Sequence, residues 1–492
     1  MQNNLNDKVQ RATKWSSITE IAAKLIAPIT NAILARLLVP EAFGVVATLN
    51  LVISFAEIFT DAGFQKYIVQ HQFKDDKELN LNTNVAFWTN LLVSLLFWAG
   101  ISCFATPITN MMGSPGHETA IIVMSAVIPI TAFSTTQMAR YRRDFDFKTL
   151  FVIRMCTTMV PLLITVPLAF IMRSYWALVF GSLARSVLNA LILTVKSKWR
   201  PSFSFSFVKL KEMLSFSLWS MVENISIWLS VNIGTFIVSS SLSAYYLGLY
   251  KTTTSTVSGY LSIITSATTP VLFAALSRCQ DDDEQFRKTL FQFQRMVATL
   301  VFPLGFGLLV YRELATTILL GNQWMETADF LGLWAWANCI AVVFNNYNSE
   351  VLRSKGKPRL SVLVQMLHLV VLVPVLIFAV KLDYRTFTLI RSIVRLQIIW
   401  VSSIVVKRVT GIKFVDYLKN VWPSICASVV MAVAGILLRQ LFDNIVWEFT
   451  TIFVCVLVYA GVMLLLPSGR KQLAEIPVLK KIFRLGNRKV KE

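Results

Sequence analysis

The chain has 492 residues, 55% of them hydrophobic and only 15% charged, with a mean hydropathy of +0.60. Soluble domains carry about a quarter charged residues, so this balance excludes most soluble enzymes, disordered chains and coiled coils. The net charge of +20 would suggest nucleic acid in a soluble chain, but in an apolar one Lys and Arg collect in cytoplasmic loops, and no nucleic-acid partner is expected.

A spanning helix needs roughly 20 mostly apolar residues. Such runs predict about fourteen helices, at 14–38, 41–63, 84–107, 119–138, 148–171, 176–195, 213–239, 245–273, 286–310, 328–351, 360–380, 386–406, 421–440 and 446–466. Short Gly- and Pro-containing breaks separate them, among them Val39-Pro40-Glu41 and Lys355-Gly356-Lys357-Pro358. The expected fold is an all-α polytopic membrane protein with no room for an independent soluble domain. Its organisation reads as a six-helix lobe over 1–200, a second over 201–410, helices 13 and 14 over 411–470, and a basic tail over 471–492.

With a cytoplasmic N-terminus, the loops on that side carry 34 Lys and Arg and the opposite loops carry 5. This positive-inside bias places both termini in the cytoplasm. The chain opens on no short apolar core with a small-residue cleavage site, so the first span is expected to be retained.

An offset of 204 residues superposes the start of the chain on its middle: Trp15-Ser16 falls on Trp219-Ser220, Leu38 on Leu242, Phe43-Gly44 on Leu247-Gly248, and Val45 on Leu249. Six helices fit within that offset. The two halves therefore share one orientation, as in transporters built from parallel repeats. Chance similarity between apolar segments is the competing explanation.

Charges inside the spans are costly and face a cavity or a partner. Helix 1 carries Glu20 and Lys24 one turn apart, either an internal neutral pair or part of a polar cavity, and then Arg36. Helix 2 carries Glu57 and Asp61, like charges one turn apart that repel unless they share a proton or a cation. These two, with Glu20 and Glu223, are the candidates for ion coupling, although solvation at the interface would also account for Asp61. Lys24, Arg36, Arg185, Lys251, Arg295, Arg391 and Arg395 are the candidates for a cationic cavity that holds an anionic head group, since guanidinium suits phosphate or carboxylate. Arg154 lies shallow enough to snorkel to the surface. His368 reads as a helix–helix hydrogen bond.

Six cysteines without metal spacing read as free thiols. Asp281–Glu284 reads as a solvated turn, and Ser202–Phe207 (Ser-Phe-Ser-Phe-Ser-Phe) as an interfacial joint between the halves rather than a strand. The tail from Leu479 has basic residues interleaved with apolar ones and suits an anionic leaflet. No nucleotide loop or hydrolase motif occurs. No cofactor is expected beyond a coupling ion.

Several pieces resemble the Wzx-type polysaccharide flippases of the MOP (multidrug, oligosaccharidyl-lipid, polysaccharide) exporter superfamily, in their WzxC-like branch. They are Ala12–Ser16, Ala35-Arg36-Leu37-Leu38 leading to Phe43-Gly44, Asp61–Phe64, Arg140–Phe145, Pro270–Leu276 and Gly321–Trp324. The resemblance covers essentially the whole chain. It implies two six-helix lobes in a V around a cationic cavity, with helices 13 and 14 outside. It also implies a non-enzymatic transporter in a bacterial inner membrane. That transporter would move a polyprenyl-pyrophosphate-linked oligosaccharide from the cytoplasmic to the outer leaflet, coupled to protons or sodium, for exopolysaccharide or O-antigen assembly. A polysaccharide polymerase and export machinery are the partners it implies, besides membrane lipids. Of the cavity residues, only Arg36 sits in a matching motif. The alternatives are a multidrug exporter of the same superfamily, which the excess of basic groups disfavours, and a membrane-embedded polymerase or ligase, which would need a larger outer loop than 311–327.

Overall fold

The computed structural model describes residues 26–61, 64–144, 146–197, 199–442 and 444–475. Among them, the side chains of Asp61 and Glu223 also fall outside the description. The described residues are helical, with no strand. By contacts the chain divides into two compact units, Met1–Thr252 and Thr253–Glu492.

The first unit contains α1 (Ile26–Leu37), α2 (Pro40–Asp61), α3 (Phe64–Gln70), α4 (Asp76–Cys103), α5 (Ala105–Met111), α6 (Glu118–Ser125), α7 (Val127–Arg143), α8 (Phe147–Val160), α9 (Val166–Met172), α10 (Trp176–Lys196) and α11 (Phe207–Ser241). A π-helical turn at Pro161–Thr165 joins α8 to α9, where proline removes a donor from the regular ladder. The long α12 (Ala244–Arg278) begins in the first unit and ends in the second. There follow α13 (Asp283–Val310), α14 (Arg312–Leu319), α15 (Ala328–Ala341), α16 (Tyr347–Ser354), α17 (Pro358–Ala379), α18 (Tyr384–Thr410), α19 (Phe414–Arg439), α20 (Ile445–Leu465) and α21 (Pro467–Glu475).

Among the described residues, eleven helical stretches are long and apolar enough to cross a membrane, or twelve if bent α12 counts as one. These correspond to twelve of the fourteen spans expected from sequence. The remaining two, 14–38 and 213–239, fall on α1, which is described only from Ile26, and on α11, whose side chains are partly outside the description. The count of fourteen is therefore not established by the described residues.

Helix starts follow local chemistry. Asp75, Asp282 and Asp383 accept backbone N–H groups of Glu78, Gln285 and Thr386, capping α4, α13 and α18. The Asp281–Glu284 run is thus a cap, and Asp283 also pairs with Lys355 at 2.8 Å. All six cysteines are free.

The ends of the helices sort as the loop charges predict. In the first unit, Arg142 donates to Gln65 Oε1 (3.2 Å), Arg143 to the carbonyls of Ile68 and His71, and Lys209 pairs with Glu78 at 3.0 Å. Loops 64–83, 139–149 and 195–212 therefore share one end. In the second unit, Lys355–Asp283 and Arg287–Asp416 (3.2 Å) mark one end, and Arg439 with Glu313 and Glu448 marks the other.

The segment 201–206 is an extended connector and forms no strand. Its serines meet α4: Asn84 donates to Ser202 Oγ and Ser204 Oγ, both at 2.7 Å, and accepts from Ser202 N–H. Its phenylalanines turn outward, with Phe203 stacked on Trp88.

Two glycines set the closest helix approach near the start of α12. A Cβ on Gly44 would overlap the Ala244 carbonyl oxygen, and a Cβ on Gly248 would overlap the Pro40 carbonyl oxygen. The starts of α2 and α12 meet there through backbone.

Candidate functional site: a cationic cavity in the first unit

A cavity of about 660 Å³ opens among α2, α6, α7, α8 and α10. Its wall is mixed because four of these helices turn polar residues inward: Asn50, Ser54 and Glu57 from α2, Thr131 from α7, Arg154 and Thr157 from α8, and Ser182, Arg185, Ser186 and Asn189 from α10. The spacing of 50, 54 and 57 and of 182, 185, 186 and 189 is that of one helix face. Arg142 lines the mouth.

The polar wall is fixed from behind. Trp228 Nε1 donates to Ser54 Oγ at 2.9 Å, and Asn189 Nδ2 donates to Ser134 Oγ at 3.2 Å. Thr157 and Thr158 turn their hydroxyls back to the Arg154 carbonyl, and Arg154 itself lines the cavity.

The electrostatics are unbalanced. Among the described residues three guanidiniums, Arg142, Arg154 and Arg185, line the cavity with one carboxylate, Glu57. Among the described residues, the Arg154 and Arg185 guanidiniums have no hydrogen-bond or ion-pair partner. Ten N–H donors of fixed geometry thus line a volume large enough for a charged head group. No group of three or more His, Cys, Asp or Glu that could hold a metal occurs among the described residues.

The other sequence candidates lie elsewhere or outside the description. Glu20 and Lys24 lie outside the described residues, as do the side chains of Asp61 and Glu223, although both of these positions are helical. Arg36 is exposed on α1, and Lys251 is half-buried on α12. Arg295 donates to Asn420 Oδ1 at 2.7 Å, within a polar seam between α13 and α19. Arg391 lies 4.4 Å over the Trp334 ring, and Arg395 Nε donates to Asn338 at 3.2 Å, both inside the second unit. His368 is buried with its Nδ1 2.7 Å from Gln397 Oε1, the helix–helix bond expected of it. Of the seven basic and four acidic candidates, the cavity of the first unit therefore brings together Arg185 and Glu57. Depth alone had set Arg154 aside; the i, i+3 pairing with Thr157 marks it as part of the same inward stripe.

The polysaccharide biosynthesis protein family profile matches residues 33–329, more than half of the chain. The chain belongs to this family. The lipopolysaccharide biosynthesis protein WzxC of Escherichia coli (strain K12) is 21% identical over 432 residues, 85% of each chain. The succinoglycan biosynthesis transport protein ExoT of Rhizobium meliloti (strain 1021) is 26% identical over 327 residues, 66% of this chain and 65% of its own. A solved structure of the lipid II flippase MurJ in an inward closed conformation superposes with a TM-score of 0.72, covering 91% of this chain and 97% of that one at 14% identity. At that identity the likeness establishes the fold. The resemblance to Wzx-type proteins read from the sequence motifs is thus met by both sequence relatives and fold.

Proposed function

We propose that this polysaccharide biosynthesis family member is a flippase of a bacterial inner membrane. It moves a polyprenyl-pyrophosphate-linked oligosaccharide from the cytoplasmic to the outer leaflet and makes or breaks no covalent bond. The observation that carries this reading is the pair of guanidiniums, Arg154 and Arg185, that have no partner among the described residues in a 660 Å³ polar cavity of a chain with this membership. A pyrophosphate presents several oxygens that such forks can hold through charge-assisted bonds, and the Ser, Thr and Asn stripes offer partners to sugar hydroxyls.

The lysine- and arginine-rich loop ends face the cytoplasm in this reading, with both termini on that side. Arg142 at the mouth then meets the substrate first, and Arg154 and Arg185 receive it deeper. Glu57 is the acid of the cavity and the place where a proton or sodium ion couples to transport, with Asp61 one turn away. The lobes are 1–200 and 201–410, with the two added helices beyond. Translocated units pass to a polymerase and export machinery.

The test is the leaflet on which lipid-linked oligosaccharide accumulates in cells lacking the protein. Complete units held on the cytoplasmic leaflet, released by the wild type but not by Arg154→Gln or Arg185→Gln, are the expected result. Normal outward movement with unpolymerised units on the outer leaflet would instead make the protein a polymerase or ligase.

A further inference from the structure

The second unit holds its own cavity of about 350 Å³, which the reading above does not use. It lies where the starts of α14, α15 and α18 meet, at the end of the unit opposite the Lys355–Asp283 and Arg287–Asp416 pairs. In the proposed topology this is the outer end.

Three leucines, Leu309, Leu333 and Leu389, form an apolar wall. Facing them, Asp329 sits between two guanidiniums: Arg312 Nε donates to Oδ1 at 2.7 Å, and Arg385 Nη2 lies 3.2 Å from Oδ2. One carboxylate against two arginines leaves a net positive charge. Among the described residues Asp329 is the only partner of either guanidinium. Both terminal nitrogens of Arg312 and most of the Arg385 fork therefore remain as donors.

The supporting turn is rigid. Thr386 bonds to Asp383 through both its hydroxyl (2.7 Å) and its N–H (2.9 Å), and the Thr388 hydroxyl bonds back to the Arg385 carbonyl (2.9 Å). These bonds hold the first turn of α18, and with it Arg385, over the cavity.

Two forked cations beside a leucine wall are complementary to a tetrahedral anion that carries, or lies next to, an apolar chain. We propose that this cavity is a binding site for a phosphate group. Its sources are the phosphodiester of an anionic lipid in the outer leaflet or a free phosphate. Asp329 bridges the two arginines and so fixes where they point. The leucine wall favours the lipid.

The test uses the full-length purified protein in detergent, with lipid retention read by native mass spectrometry. The probes are phosphatidylglycerol, phosphatidylcholine and inorganic phosphate. Preferential retention of phosphatidylglycerol, weakened about tenfold in Arg385→Gln, as expected for loss of a charged hydrogen bond, and less weakened in Arg385→Lys, which keeps the charge without the fork, would support the site. Arg385 is 84% exposed in its side chain, so the substitution does not disturb packing. Leu389→Trp, which narrows the cavity and leaves both charges, should weaken retention as well. Displacement of the lipid by millimolar phosphate would assign the free anion as the ligand. Equal retention of both lipids with no phosphate effect, or retention untouched by Arg385→Gln and Leu389→Trp, would overturn the proposal. The readout is binding and not transport, so its failure leaves the flippase reading standing.

Discussion

Gly44 and Gly248 lie against one another's helix starts in a reciprocal contact: each would drive a Cβ into the carbonyl of the residue four before the other, Ala244 for Gly44 and Pro40 for Gly248. The two glycines are 204 residues apart, as are Pro40 and Ala244, the first residues of α2 and α12. Residue i meeting j while the counterpart of i meets the counterpart of j is the signature of a two-fold related pair of segments. Sparse identity at that offset is therefore matched by a physical self-complementarity that chance similarity does not require.

Substitution at this crossing is expected to be costly and non-additive. Gly44→Val and Gly248→Val should each destabilise the protein by about 1–3 kcal/mol through overpacking. Once one has pushed the helices apart, the second meets less obstruction, so the double variant should cost less than the sum. Thermal unfolding of the four proteins in one detergent measures this. Full additivity would mean the two sites do not share a contact.

Asn84 organises the connector between α10 and α11 through three hydrogen bonds to Ser202 and Ser204. Asn84→Leu removes them all and should release the segment. Chymotrypsin should then cleave after Phe203 several-fold faster in inside-out vesicles, the orientation that exposes the cytoplasmic face. Cleavage only in right-side-out vesicles would reverse the proposed topology.

Arg295, Gln294 and Asn420 form one network, extended by Gln472, which donates to the Asn420 carbonyl (2.8 Å) and accepts from the Ser424 hydroxyl (2.9 Å). Asn420→Ala leaves Arg295 and Gln294 short of partners and should cost about 1–3 kcal/mol. Adding Arg295→Met should recover part of that loss. Denaturation of single and double variants gives the coupling, and a coupling of zero would place Arg295 outside the seam.

The cap of α18 carries a pH dependence. Asp383 accepts from the Thr386 hydroxyl and from its N–H, and these bonds hold its carboxyl below the usual 3.8. Because the folded value is depressed, the stabilisation is complete above 3.8 and is lost as pH falls through the lower folded value. Exchange protection of the Thr386 and Phe387 amides should show that fall in the wild type and none in Asp383→Ala. An unchanged profile would show that the cap does not hold the turn.

Hydropathy made the spans and their alternation legible, because membrane helices must be apolar over a fixed length. The cavity was legible only in part. Depth singles out Arg185 and the like-charge spacing with Asp61 singles out Glu57, but depth says nothing about azimuth, so it sets aside Arg154, which shares the stripe of Thr157. Conversely, Arg295 is as deep as a cavity residue, yet it turns to Asn420, and no local pattern announces a partner 125 residues away. Position along a helix can be read from a chain, whereas the neighbour across from it must be seen.

That separation also has a meaning in time. Synthesis at about 5–20 residues per second puts about 6–25 s between the emergence of Arg295 and that of Asn420. During that interval α13 must enter the bilayer before the Asn420 side chain that meets Arg295 and Gln294 has been made. A chain that stops before α19 therefore lacks the Asn420 contacts of Arg295 and Gln294, so this seam between α13 and α19 closes only late in synthesis.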